Sequence, residues 1–153
     1  MKSLVVYCST YKNNTEKIAT VFAKRINADL CNLKSAKDIS INQYDLIGFG
    51  SGVYKESMSP QLFSFVDMLS LNGKDVFVFS TSGMGSAFYN KKPIKLLKSK
   101  EANCKGSFAC KGSFVSRDFS KIKIFEFVSK FAQGHPNDKD LINAEKFIEK
   151  IVY

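Results

Sequence analysis

Residues 3–26, SLVVYCSTYKNNTEKIATVFAKRI, decide the fold. Leu4 to Cys8 is an apolar run of strand length. It is too short for a secretory core, and no small-residue cleavage site follows it, so it predicts a strand in a cytoplasmic protein. Beyond a polar loop, Ile18, Phe22 and Ile26 recur four apart beside Ala19 and Ala23, which is one face of a helix. Asn13 or Asn14 stands where an N-cap belongs, and Glu16 completes a capping-box spacing with Asn13. Strand, polar loop and helix in this order open a parallel crossover unit.

The unit recurs along the chain. Four more strands are expected at 28–33, 44–50, 75–81 and 104–111. Ser59-Pro60 opens a second helix with Leu62, Phe65, Val66 and Leu69 on one face, and Pro93 opens a short one through Ile94 and Leu97. Pro136-Asn137 opens the last, whose stripe is Leu141, Ala144, Phe147, Ile148 and Ile151. The first, third and fourth strands are almost continuously apolar, as strands covered on both faces are. The second and fifth carry Asp29, Asn32, Lys105 and Ser107, as edges do. The expectation is an α/β three-layer sandwich with a five-stranded parallel sheet in the order 2-1-3-4-5, forming a single domain over 1–153. That order puts its switch point, and any ligand, at the carboxyl ends of strands 1 and 3.

Composition narrows the function. With 153 residues, 44% hydrophobic and 24% charged, the chain is neither disordered nor membrane-spanning. The net charge of +9 favours acidic partners, nucleic acid or a membrane surface. Cys8, Cys31, Cys104 and Cys110 read as reduced thiols in a cytoplasmic compartment. His135 is the single histidine, which leaves no metal site and no triad to propose. Residues 112–135 are long for a connection. Within them, 119–132 (FSKIKIFEFVSKFA) has the pattern of a basic amphipathic surface helix, suited to peripheral membrane contact or to covering the sheet edge.

The loop Ser9-Thr10-Tyr11-Lys12-Asn13-Asn14-Thr15 runs into a helix N-terminus, the geometry of a phosphate cradle. It lacks the glycines of a dinucleotide fingerprint and the Gly and Lys-Ser/Thr of a P-loop. Cys8 is followed six positions on by Asn14, where a cysteine phosphatase needs arginine. Cys8 therefore reads as a buried strand-end residue.

CSTYKNNTEKIA, with GSGVY at 50–54, STSG at 80–83 and the ending HPNDKDLINAEKFIEKI, resembles the flavodoxin family. The resemblance implies FMN, with its phosphate held at residues 9–15. Asn13 stands where the family has glycine, a substitution asparagine suits because it accepts left-handed dihedrals. It further implies that Ser51-Gly52-Val53-Tyr54 lie along the ring edge as the loop after the third strand, with Gly52 free to flip its peptide toward the reduced flavin. Ser82, Gly83, Met84 and Gly85 would hold the pyrimidine side with backbone amides. The chain has no Trp, so stacking would come from Tyr54, Phe88 or Tyr89.

The first reading is an FMN-binding electron-transfer protein with no catalytic side chain and acidic redox protein partners. The second is a membrane-associated FMN reductase or oxidase resembling flavodoxin-like protoporphyrinogen oxidases, in which 112–135 is the basic insertion before the last helix. The third is a flavin-free binding module. No motif points to specific nucleic-acid recognition.

Overall fold

Ser3–Cys8 forms β1, and Asn14–Ile26 forms α1 behind it. In this computed structural model, which describes residues 1–9, 12–35, 38–114 and 123–153, the same alternation continues through the chain. It runs β2 (Asp29–Asn32), β3 (Leu46–Tyr54), β4 (Ser57–Met58), α2 (Pro60–Asp67), β5 (Asp75–Ser82), a 3₁₀ turn (Ala87–Asn90), α3 (Lys91–Ser99), β6 (Asn103–Lys111), α4 (Lys123–Ala132) and α5 (Asp138–Val152). The parallel sheet has the order β2-β1-β3-β5-β6, the expected 2-1-3-4-5 once the two-residue β4 is counted, and β4 pairs antiparallel with the end of β3.

Three local expectations are corrected. Ser51–Tyr54 is not a loop, because β3 continues through Tyr54 and turns back into β4 at Lys55 and Glu56, both with positive φ. Two left-handed residues are what a tight two-residue hairpin demands, here met without glycine or asparagine. Secondly, Asn13 is the residue before α1, left-handed at φ 54°, but its side chain makes no cap hydrogen bond. The capping box with Glu16 fails because the Glu16 carboxylate accepts from the phenol of buried Tyr7. That phenol is pushed up to about 12, first by burial and then by this bond. Thirdly, α3 begins two residues before Pro93, which sits in the first turn where its missing N–H is not needed. The remaining starts are as expected: Ser59 accepts from the Gln61 N–H with Pro60 following, and Asn137 and Asp140 form a full capping box on α5. Residues 119–122 of the anticipated amphipathic helix lie outside the described residues, and α4 carries the rest.

The core has two halves. On one face of the sheet, Leu4, Val6, Ile47, Phe49, Val76 and Val78 meet Leu62, Val66 and Leu97. On the other, Val5, Phe77 and Phe79 meet Ile18 and Phe22 of α1 and Ala144 and Ile148 of α5. Phe22 packs edge-on against Phe77, Phe79 and Phe108 with centroids 5.4, 5.1 and 5.8 Å away. Such pairs add about 0.5–1.5 kcal/mol each beyond area burial. Cys110 lies in this half; burial, then the Asp140 charge, pushes its thiol up to about 12, and all four cysteines are free. Among the described residues no helix is long and apolar enough to cross a membrane.

Candidate functional site

The parallel strands end together at one rim, and a cleft of about 340 Å³ opens there. Its α1 side is polar. Lys12 and Asn13 are consecutive left-handed residues (φ 48° and 54°) that bring the chain sharply into the helix. Asn13 provides no side-chain cap, and the first turn of α1 presents its N–H groups at the positive end of the helix dipole. Asn14 and Thr15, the first two helical residues, line the cleft.

Two buried atoms at the β1–α1 corner, one of them on the cleft lining, lack hydrogen-bond partners. The Asn14 amide is oriented by donating Nδ2 to the Ser113 carbonyl at 2.9 Å, which leaves its Oδ1 with no hydrogen bond. Ser9 Oγ, at the end of β1, is likewise buried and unpartnered. An unsatisfied buried polar atom costs about 1–3 kcal/mol, so a polar group bound in the cleft would relieve Asn14, which lines it. Thr15, by contrast, is already satisfied, its hydroxyl lying 2.9 Å from that of Thr81.

The opposite side of the cleft is apolar and comes from distant segments. Val53 and Tyr54 arrive on β3, Met84 and Tyr89 follow β5, Phe114 follows β6, and Val128 comes from α4. Phe114 is seated by two neighbours. The Ser129 hydroxyl donates to its carbonyl at 2.6 Å, and its ring lies where a Cβ on Gly83 would be, 2.4 Å from the ideal position.

The anticipated residues divide accordingly. Asn14, Thr15, Gly52, Val53, Tyr54, Ser82, Gly83, Met84 and Tyr89 line the cleft, whereas Thr10 and Tyr11 lie outside the described residues. Ser51 is turned inward: its hydroxyl donates to the Gly52 carbonyl at 2.6 Å and accepts from the Ser59 N–H at 2.8 Å. That bond occupies the carbonyl that a peptide flip at Gly52 would reorient, and the left-handed backbone falls on Lys55 and Glu56 instead. Gly85 (φ 65°) packs against the backbone of Lys111, and Phe88 points to solvent. Sequence reasoning missed Lys55, Glu56, Thr81, Gly112, Ser113, Phe114 and Val128 as lining. Thr81 sits inside the quoted STSG, while nothing in KGSF marks Phe114 as a cleft residue.

His135 is bound elsewhere, its Nδ1 2.5 Å from Asp140 Oδ2. Among the described residues no cluster of metal-ligating side chains occurs.

A family model described as the flavodoxin domain matches residues 4–149. An uncharacterised protein of Methanocaldococcus jannaschii is 36% identical over 154 residues, spanning 99% of both chains. Among solved structures, a flavodoxin from the domain Archaea superposes with a TM-score of 0.72 at 18% identity, covering 100% of each chain. A Lactobacillus acidophilus flavoprotein in complex with FMN superposes at 0.52 with 19% identity, over 69% of this chain and 91% of its own.

Proposed function

The chain belongs to the flavodoxin-domain family, and on that premise we propose that it binds FMN in the cleft at the strand ends and serves as an electron carrier. One observation carries the reading: a single cleft joins an uncapped helix N-terminus to an apolar, aromatic wall. A phosphate fits the first and a planar ring system the second. The superposed flavoprotein with FMN supports the same ligand.

FMN when bound supplies one- and two-electron redox chemistry. The chain's residues hold and tune it. The first-turn N–H groups of α1 and Ser9 Oγ would hold the phosphate, with the helix dipole favouring its charge. Asn14 Oδ1 would accept from a donor group of the bound flavin, since an unpaired carbonyl oxygen seeks a donor. Tyr54, Met84 and Phe114 would pack against the ring. Lys55 and Glu56 are the ammonium and the carboxylate on the lining among the described residues.

Ser9→Ala tests the phosphate assignment by fluorescence titration. FMN affinity should fall roughly tenfold, as expected for a lost hydrogen bond to a charged group, with riboflavin affinity unchanged. Equal losses for both flavins would move the phosphate elsewhere, and wild-type protein that quenches neither would end the reading.

A further inference from the structure

We infer that the mouth of this cleft is a docking face for an acidic redox protein, built from lysines laid over exposed aromatic rings. The inference rests on the carrier reading and adds the partner's chemistry and the residues that meet it. Tyr54, Met84, Phe88, Phe127 and Phe131 are all exposed. They are connected: Tyr54 and Met84 line the cleft, and Gly85, next to Met84, packs on Lys111. Lys111 Nζ lies 5.5 Å from the centre of the Phe131 ring, and that ring is 4.8 Å from Phe127. On further elements Lys55 lies over Tyr54 at 5.6 Å, Lys91 over Phe88 at 5.1 Å and Lys92 over Phe63 at 5.0 Å.

The pairs on exposed Tyr54, Phe88 and Phe131 stand on the hairpin, on the 3₁₀ turn that carries cleft residue Tyr89 and on the helix that carries cleft residue Val128, and form a surface both apolar and positive, the composition of an interface rather than of solvated surface. The ion pairs among the described residues, Arg25–Glu149, Lys105–Asp75 and His135–Asp140, involve none of these lysines. Glu56 is the acid on the cleft itself. These lysines are therefore left without ion-pair partners among the described residues, where carboxylates on a partner complement them and speed encounter. A bilayer fits less well. Its flat surface suits one helix lying down, whereas these rings stand on the β3–β4 hairpin, the 3₁₀ turn and α4 around a concavity. Docking forms no bond between the proteins; FMN, when bound in the cleft, would supply the one-electron chemistry.

The probe is a small, acidic plant-type ferredoxin, mixed with the full-length protein with and without FMN and treated with a carbodiimide. Mapped cross-links should concentrate on Lys55, Lys91, Lys92 and Lys111. Calorimetry at low salt should show K91Q/K92Q/K111Q binding the ferredoxin roughly tenfold more weakly than wild type, with its FMN titration unchanged. Phe127→Ser with Phe131→Ser should weaken binding without altering its salt dependence, because no charge is removed. Cross-links scattered over Lys24, Lys95, Lys139 and Lys150, or undiminished binding by the lysine variant, would overturn the docking face. So would Phe127- and Phe131-dependent flotation with phosphatidylserine vesicles and no ferredoxin binding. Rim cross-links in a protein that takes up no FMN would support the docking face and end the carrier reading, so the two fail separately.

Discussion

Strand β3 carries glycine at 48, 50 and 52, and the first two answer to a different constraint from the third. Gly48 and Gly50 lie in the middle of the sheet, in register with Phe77 and Phe79 on β5. Those rings lean across the glycines, so that a Cβ would stand 2.2 Å from Phe77 Cζ or 2.1 Å from Phe79 Cζ. At the carboxyl end, a Cβ on Gly52 would meet only Thr15 Oγ1 at 3.5 Å and Thr81 Oγ1 at 4.0 Å, both cleft side chains. One residue type thus makes room for a core in one region and lines an open cleft in the other. Adjacent parts of a strand can answer to stability and to function separately.

Substitutions in this series should separate the two roles. Gly50→Ala has the largest expected effect, since the Phe79 ring is fully buried and held edge-on by Phe22. Urea unfolding should show a loss of about 3 kcal/mol, at the upper end for overpacking. A loss below about 1 kcal/mol would mean that the middle of the sheet yields as easily as its rim. Gly83→Ala comes next. Its methyl would displace the half-exposed Phe114 ring, which can swing toward solvent, so stability should fall by only about 1 kcal/mol. Quenching of bound flavin should weaken about threefold in affinity, and full retention of affinity would remove Phe114 from the ring wall. Gly52→Ala is the smallest. Its stability should stay within about 0.5 kcal/mol of wild type, because the methyl finds space and alanine suits a strand no worse than glycine. Its signature is reduced FMN affinity in a protein that unfolds normally. Unchanged affinity would show that the ligand does not approach the face of Gly52.

The same division governs what could be read in advance. Strand and helix positions follow from period, which a dozen consecutive residues display, and the sheet order follows from which strands are polar enough to be edges. The β1–α1 corner was legible because its parts are contiguous: a strand end, a hydroxyl-rich loop and a helix start within residues 8–15. Its failed capping box shows the limit, since Glu16 is claimed by Tyr7 across the helix–sheet contact.

The sequence by itself determined the alternating elements, their order in the sheet and the polar half of the cleft. Only the tertiary structure decided the apolar half. Tyr54, Met84, Phe114 and Val128 come from four separate segments. They are brought together by the β3–β5 and β5–β6 registers, by the hairpin at Lys55 and Glu56, and by the Ser129–Phe114 hydrogen bond. An aromatic residue carries the same local signal whether it faces a core, a cleft or solvent. Phe114 becomes a wall because Gly83 leaves space for its ring, and that is a fact about two chain segments packed together.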